Sequence, residues 1–154
     1  MIELPKIQIV NRFSWIIPGE PMGTQRHRAR VNYNRGRAFA QTYDTAENRS
    51  MKHLIRDYLF ASGFKESLRH EGPVRFTIMI VKSRPKRLMR RHDPDGLVFC
   101  TSKPDWDNCG KMVSDALNTI CYTDDAQVCD SRVFKFFHEK VGRPRTEIIM
   151  EFLW

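Results

Sequence analysis

Nothing in this chain is apolar for long. No run approaches the roughly 18–20 residues that a membrane-spanning helix needs. The opening MIELPKIQIV has neither the basic n-region nor the apolar h-region of a secretory signal, so the cytoplasm is the expected compartment. Cysteine is scarce: Cys100, Cys109, Cys121 and Cys129, with no C-x-x-C pair among them. That spacing argues against a structural zinc site, and a reducing compartment argues against a disulfide framework. The four are expected as small buried apolar residues. Internal repeats, linkers and low-complexity tracts are missing as well. Acid is in deficit, with 18 Asp and Glu against 26 Lys and Arg and a net charge of +8. The pI is near 9.6. Such a surplus suits a polyanionic partner; the bland alternative is a merely soluble basic surface.

What is present suffices for one folded domain over residues 1–154. A 41% hydrophobic and 11% aromatic content can bury a real core at this length and is not the composition of a disordered chain.

Apolar periodicity gives the elements. Phe13–Ile17 reads as a strand, ended by the turn residues Pro18-Gly19-Glu20-Pro21. TQRHRARVNYNRGRAFA follows, two short strands around Asn34-Arg35-Gly36 or a mobile basic hairpin. Thr42–Phe60 lacks Gly and Pro and spaces Met51, Leu54, Ile55, Tyr58 and Leu59 as a helix, with Gly63 as its stop. Pro73–Val81 alternates as a strand, and Pro104 precedes a helix over about Asp105–Ile120. Val128–Phe137 and Thr146–Trp154 look like two more strands. The fold class that follows is α+β, a mainly antiparallel mixed sheet covered by two main helices.

Between Lys103 and Asp130, KPDWDNCGKMVSDALNTICYTDDAQVCD concentrates carboxylates in an otherwise basic protein. Such a knot would repel a polyanion unless a cation lay between them. In the helix, Trp106, Cys109 or Gly110, Val113, Leu117 and Ile120 would face the core. Asp107, Lys111 and Asp115 repeat on the opposite side. One account is structural: Asp105 caps the helix and the other three form a solvated ion-pair ladder. The acids Asp124 and Asp125, between helix and strand, are otherwise ordinary turn residues. If that strand returns beside the helix N-terminus, however, Asp105, Asp107 and one of the later acids would meet as an oxygen-donor site for Mg²⁺ or Mn²⁺. Lys111 would then steady the acids or offset charge on a phosphate. PDWDNCGKMVSD is no EF-hand, because it lacks the flanking helix and the final Glu.

The string KPDWDN–x₂–K–x₃–DALN, followed by DDAQV, resembles the RusA family of Holliday junction resolvases. The opening IPGEPMGTQRHRARV resembles that family more loosely, since Arg26-His27-Arg28 stands where Arg-Pro-Arg is usual. The resemblance implies a RusA-like fold and a small homodimeric, Mg²⁺-dependent endonuclease that cuts branched DNA such as a four-way junction. Such enzymes are often phage-encoded and need no small-molecule cofactor. It implies Asp105, Asp107 and Asp125 as metal-binding catalytic acids, Lys111 as the functional lysine and Asp124 as a helper, with Asp115 a structural residue.

Two stretches concentrate positive charge, Arg26–Arg37 and Lys82–Arg91. Either is a solvated face or a phosphate-docking surface. The resemblance favours DNA contact for Arg26, Arg28, Arg30, Arg84, Lys86, Arg87, Arg90, Arg91 and Lys103. Tyr33 and Phe39 could stack on bases, but are expected instead as packing residues of a hairpin. A broader branched-DNA or flap nuclease, and a non-catalytic DNA-binding protein, are the competing readings. Carboxylates far apart in space would favour the latter.

Overall fold

The computed structural model describes residues 6–154, so half of the stretch read above for a leader signal lies outside the described residues. Seven strands and two helices follow in the order β1 (Ile9–Pro18), β2 (Arg28–Asn34), β3 (Arg37–Tyr43), α1 (Ala46–Ala61), β4 (Val74–Lys82), β5 (Val98–Phe99), α2 (Trp106–Leu117), β6 (Val128–Phe137) and β7 (Arg145–Leu153). Five strands form one sheet in the order β1-β7-β4-β6-β5, and β2 with β3 forms a separate hairpin.

The sheet is mixed, as expected for this α+β chain. Neighbours pair antiparallel except at the centre, where β4 and β6 run parallel. Parallel neighbours need a crossover, and α2 supplies it between β4 and β6. The connection determines that the start of α2 lies at the C-terminal end of β4, and that the end of α2 lies back at its beginning.

Strand alternation builds the core. Val74, Phe76, Ile78 and Ile80 of β4 and Ile148, Met150 and Phe152 of β7 point toward the helices and are buried. Against them pack Ile55 and Leu59 of α1 and Cys109, Met112, Val113, Ala116 and Leu117 of α2. The second helix is shorter than the spacing suggested, and Trp106 does not face the core: it is 62% exposed. The buried stripe begins one turn later, at Cys109. The first helix begins at Ala46 because the Thr45 side chain caps it, accepting from the Asn48 N–H at 3.1 Å. It ends before Gly63, whose φ of +100° suits a glycine at the stop.

The hairpin is joined by Arg35 (φ 47°) and Gly36 (φ 78°), the paired left-handed residues of a type I′ turn. It stands off the body: apart from half-buried Asn32, every residue of its two strands is exposed. Tyr33 and Phe39 are therefore not packing residues, being 78% and 47% exposed.

All four cysteines are free, as expected. Cys100, Cys109 and Cys121 are buried, whereas Cys129 is exposed on β6. No described helix is long and apolar enough to cross a membrane.

Candidate active site

Asp105 occupies the N-cap position of α2, yet its carboxylate makes no capping hydrogen bond. It is paired instead with the Lys103 ammonium. The structural role first open to this residue, helix capping, is thus not performed. Asp107 lies exposed in the first turn, where partial positive charge from the helix favours an anion. Among the described residues neither Asp107 nor Lys111 has an ion-pair partner, so the expected ladder does not form. Asp115 does pair with Lys52, at 3.9 Å, as a structural residue should.

The loop before α2 is held by lysines. Lys82, at the end of β4, donates to the Lys103 carbonyl, and Lys135 of β6 donates to the Ser102 carbonyl at 2.6 Å. Lys135 was not singled out in the sequence. Its signal is its register, since it lies opposite Ile80 near the C-terminal ends of the parallel strands.

A strap formed by Pro21–His27 closes the other side. Thr24 N–H donates to the Asn108 carbonyl at 3.2 Å. Gly23 permits the approach, because a Cβ there would lie 2.9 Å from the Pro104 Cβ. Gln25 is clamped by buried Asn48, whose Oδ1 accepts from the Gln25 N–H at 2.9 Å while its Nδ2 donates to the Gln25 carbonyl at 3.0 Å. Asn48 also donates to Asp44 Oδ1 at 2.7 Å. The Lys52 hydrogen bond and charge, with help from Asn48, hold the Asp44 carboxyl below its ordinary range despite some desolvation. His27 approaches the same carboxylate at 3.6 Å.

Two adjoining hollows result. One is lined by Pro21–Gln25, Lys103, Pro104, Asp105 and Asn108, the other by Thr24–His27, Asn108 and Lys111. Together they form a groove that runs from an acid to Arg26 and Lys111 across the first turns of α2. Residues 86–91 follow β4 at this same end, and Lys86, Arg87, Arg90 and Arg91 are exposed.

Two expectations need correction. Arg84 does not face a partner. It is only 7% exposed, and its guanidinium donates to the carbonyls of Leu88 (2.8 Å), Gly96 (2.9 Å), Pro94 (2.6 Å) and His138 (3.4 Å). An arginine with every reach satisfied by backbone is a staple for the 84–96 loop.

The second correction concerns Asp125. It sits in a short 3-10 turn, Asp125–Gln127, whose Gln127 Nε2 donates to the carbonyls of His70 and Gly72 at 3.0 and 2.9 Å. That pins the turn to the beginning of β4, while Asp105 lies at the end of β4. Twelve residues of α2 separate the two, about 18 Å at 1.5 Å per residue. Within one chain the three acids therefore do not meet, and no group of three His, Cys, Asp or Glu side chains suited to a metal occurs among the described residues. The cause is the crossover, which carries the chain to the far end of the sheet before β6 can begin. Asp124 caps the turn, its Oδ1 accepting from the Ala126 N–H at 2.8 Å. Asp125 is exposed, with no ion-pair partner among the described residues.

The thiols do not compensate. Burial pushes Cys109 up to about 11 and Cys121 up to about 12, so neither supplies a thiolate at neutral pH.

Comparison with known proteins adds an independent line. The family model described as "Endodeoxyribonuclease RusA" matches residues 18–151. A Bacillus subtilis (strain 168) protein described as "Uncharacterized protein YqaN" is 31% identical over 137 residues, covering 86% of this chain and 90% of the relative.

Proposed function

Because the chain belongs to the RusA family of endodeoxyribonucleases, we propose that it is a Mg²⁺-dependent nuclease that resolves four-way DNA junctions in recombination and repair. It acts by paired, symmetric nicks that leave a 5′-phosphate and a 3′-hydroxyl. The observation that supports this reading is the groove at the start of α2, which joins Asp105, bonded only to the Lys103 ammonium, to Arg26 and Lys111. Anion-attracting and cation-attracting groups along one groove suit a phosphodiester that must be held by one and attacked beside the other.

The donor set fits the ion. Asp105 and Asp107 offer hard oxygens with lone pairs free of the helix backbone, and the Lys103 ammonium already sits where a cation would neutralise Asp105. Mg²⁺ requires only one or two carboxylates when phosphate and water complete its shell, and Mn²⁺ takes the same donors. Once bound, the ion would polarise the phosphate and lower the pKa of a water. Lys111 and Arg26 offset charge on the phosphate oxygens and fix the strand in the groove. Lys82 and Lys135 hold the loop that carries Asp105. Lys86, Arg87, Arg90 and Arg91 give affinity through phosphates, without reading sequence.

A homodimer completes the reading. Two-fold symmetry suits two symmetric cuts, and it also accounts for Asp125. An acid at the far end of α2 can join Asp105 and Asp107 only if a second copy supplies it. Each of the two sites would then draw Asp105 and Asp107 from one protomer and Asp125 from its partner.

The separation of Asp125 from Asp105 also favours the rival, a DNA-binding protein without catalysis. One gel assay decides: labelled four-way junction against linear duplex, with Mg²⁺ and with EDTA. Mg²⁺-dependent paired nicks in the junction are expected. Tight junction binding without any cut establishes the rival, and cutting of flaps as readily as junctions establishes the broader nuclease.

A further inference from the structure

We propose that the hollow between Arg30, Asn32, Gln41 and Tyr43 on the hairpin is a seat for one nucleobase that has left the stack at a DNA branch point. The inference rests on the branched-DNA reading above and adds to it the means of telling a branch from a plain duplex.

Strand alternation and register sort the hairpin into two unlike faces. Arg28 lies opposite Tyr43, Arg30 opposite Gln41, Asn32 opposite Phe39 and Asn34 opposite Arg37, so these eight share one face. Ala29, Val31, Tyr33, Ala38, Ala40 and Thr42 make up the other. The first face holds three guanidinium groups, two aromatic rings and three amides, and no acid. Its net charge is purely positive, which fits a polyanion.

The chemistry is that of single-stranded nucleic acid recognition. Arginines hold phosphates, rings stack on bases whatever their identity, and amides bond base edges. Folding does not explain the rings. Phe39 and Tyr43 are 47% and 44% exposed, on an arm whose two strands contain no buried residue. The amides, by contrast, are fixed. Asn32 Nδ2 donates to Gln41 Oε1 across the strands at 2.7 Å. That leaves the Asn32 carbonyl oxygen and the Gln41 amino group, an acceptor beside a donor, without other partners among the described residues. Such a pair matches the edge of a base.

Selectivity follows from access. In a continuous duplex both faces of every base are covered by neighbours, so Tyr43 has nothing to stack on. At a branch point a base can be displaced at small cost. The hollow is also close to the groove: Arg30 follows Arg26 by four residues, at most about 14 Å of chain. A strand seated on the hairpin is therefore within reach of Arg26, which shares a hollow with Lys111.

The test measures affinity in EDTA for a four-way junction and for a linear duplex of the same length and sequence, using wild type, Tyr43→Ala, Tyr43→Phe and Asn32→Ala. One base–aromatic stack predicts that Tyr43→Ala lowers the junction-to-duplex affinity ratio about 10- to 100-fold. Tyr43→Phe keeps it, and Asn32→Ala reduces it less. Photo-crosslinking from 5-iododeoxyuridine at the branch should label Tyr43, and the same base inside an arm should not. If wild type prefers the junction and Tyr43→Ala keeps that preference within twofold, the base seat is refuted while the nuclease reading stands. Equal weakening on both DNAs also refutes it, leaving a phosphate arm only. A wild type with no junction preference overturns both. These residues lie outside the core, so unchanged melting temperatures confirm that the variants are folded.

Discussion

Gln25 and Asn48 bond each other twice. The Gln25 N–H donates to Asn48 Oδ1 at 2.9 Å, and Asn48 Nδ2 returns a bond to the Gln25 carbonyl at 3.0 Å. Since Asn48 is fully buried in α1, the strap that walls the groove is moored to the core by one amide. Asn48→Ala strands two backbone groups and should lower unfolding free energy by about 2 kcal/mol. Junction cleavage should drop at least tenfold. Chemical denaturation and single-turnover assays measure the two effects.

Gly23→Ala reaches the same wall from the other side. The added methyl would meet the Pro104 Cβ at 2.9 Å, so the strap must lift away from α2. Cleavage should fall at least tenfold, with a stability loss of about 1 kcal/mol. Full cleavage by this variant would show that the strap has no part in the site.

Asp105→Asn and Asp107→Asn should each abolish cutting and leave junction binding in EDTA within about threefold of wild type. Mixing protomers separates the two ways of placing Asp125. A dimer of one Asp105→Asn chain and one Asp125→Asn chain keeps one intact site if Asp125 acts across the interface, and none if it acts within its own chain. The expected product is a single nick per junction, where neither mutant alone nicks at all.

These acids also mark how far the sequence could be read. The helix, its negative start and the turn at Asp124-Asp125 were legible because each is a local pattern. Their meeting was not, because it depends on which end of the sheet the crossover returns to. Arg84 misled for a similar reason. In the sequence it is one arginine among several between Lys82 and Arg91, and only the fold of the 84–96 loop turns carbonyls toward it. Trp106 looked like a core residue by spacing, but spacing alone cannot say which turns of a helix are covered. The parallel pairing of β4 with β6 was implicit in the strand–helix–strand order, and the alternation of β4 marked its core face directly.

Arg84→Ala should cost about 3 kcal/mol, since several carbonyls lose a charged donor. It should leave the salt dependence of DNA affinity unchanged. Replacing exposed Arg87, Arg90 and Arg91 with Ala should do the reverse, with stability within about 0.5 kcal/mol of wild type. The slope of log affinity against log salt should then shrink by about one for each phosphate contact removed.

The Glu139 carboxylate accepts from both terminal nitrogens of Arg145 at 2.9 Å. Chiefly through these bonds it is held at about 2 rather than the ordinary 4.5. With the folded value depressed, the stabilisation is whole above about pH 4.5 and fades as pH falls toward 2. Glu139→Gln should therefore remove about 1 kcal/mol at pH 7. Denaturation curves of mutant and wild type should converge as pH approaches 2.

An arm with no buried residue in its strands is released from the obligations that govern a core. Its residues can be exchanged wholesale, as a tool tip is changed on an unchanged handle. Transplanting residues 28–43 from one homologue to another should thus move substrate preference between them, with the cutting chemistry left behind on the recipient scaffold.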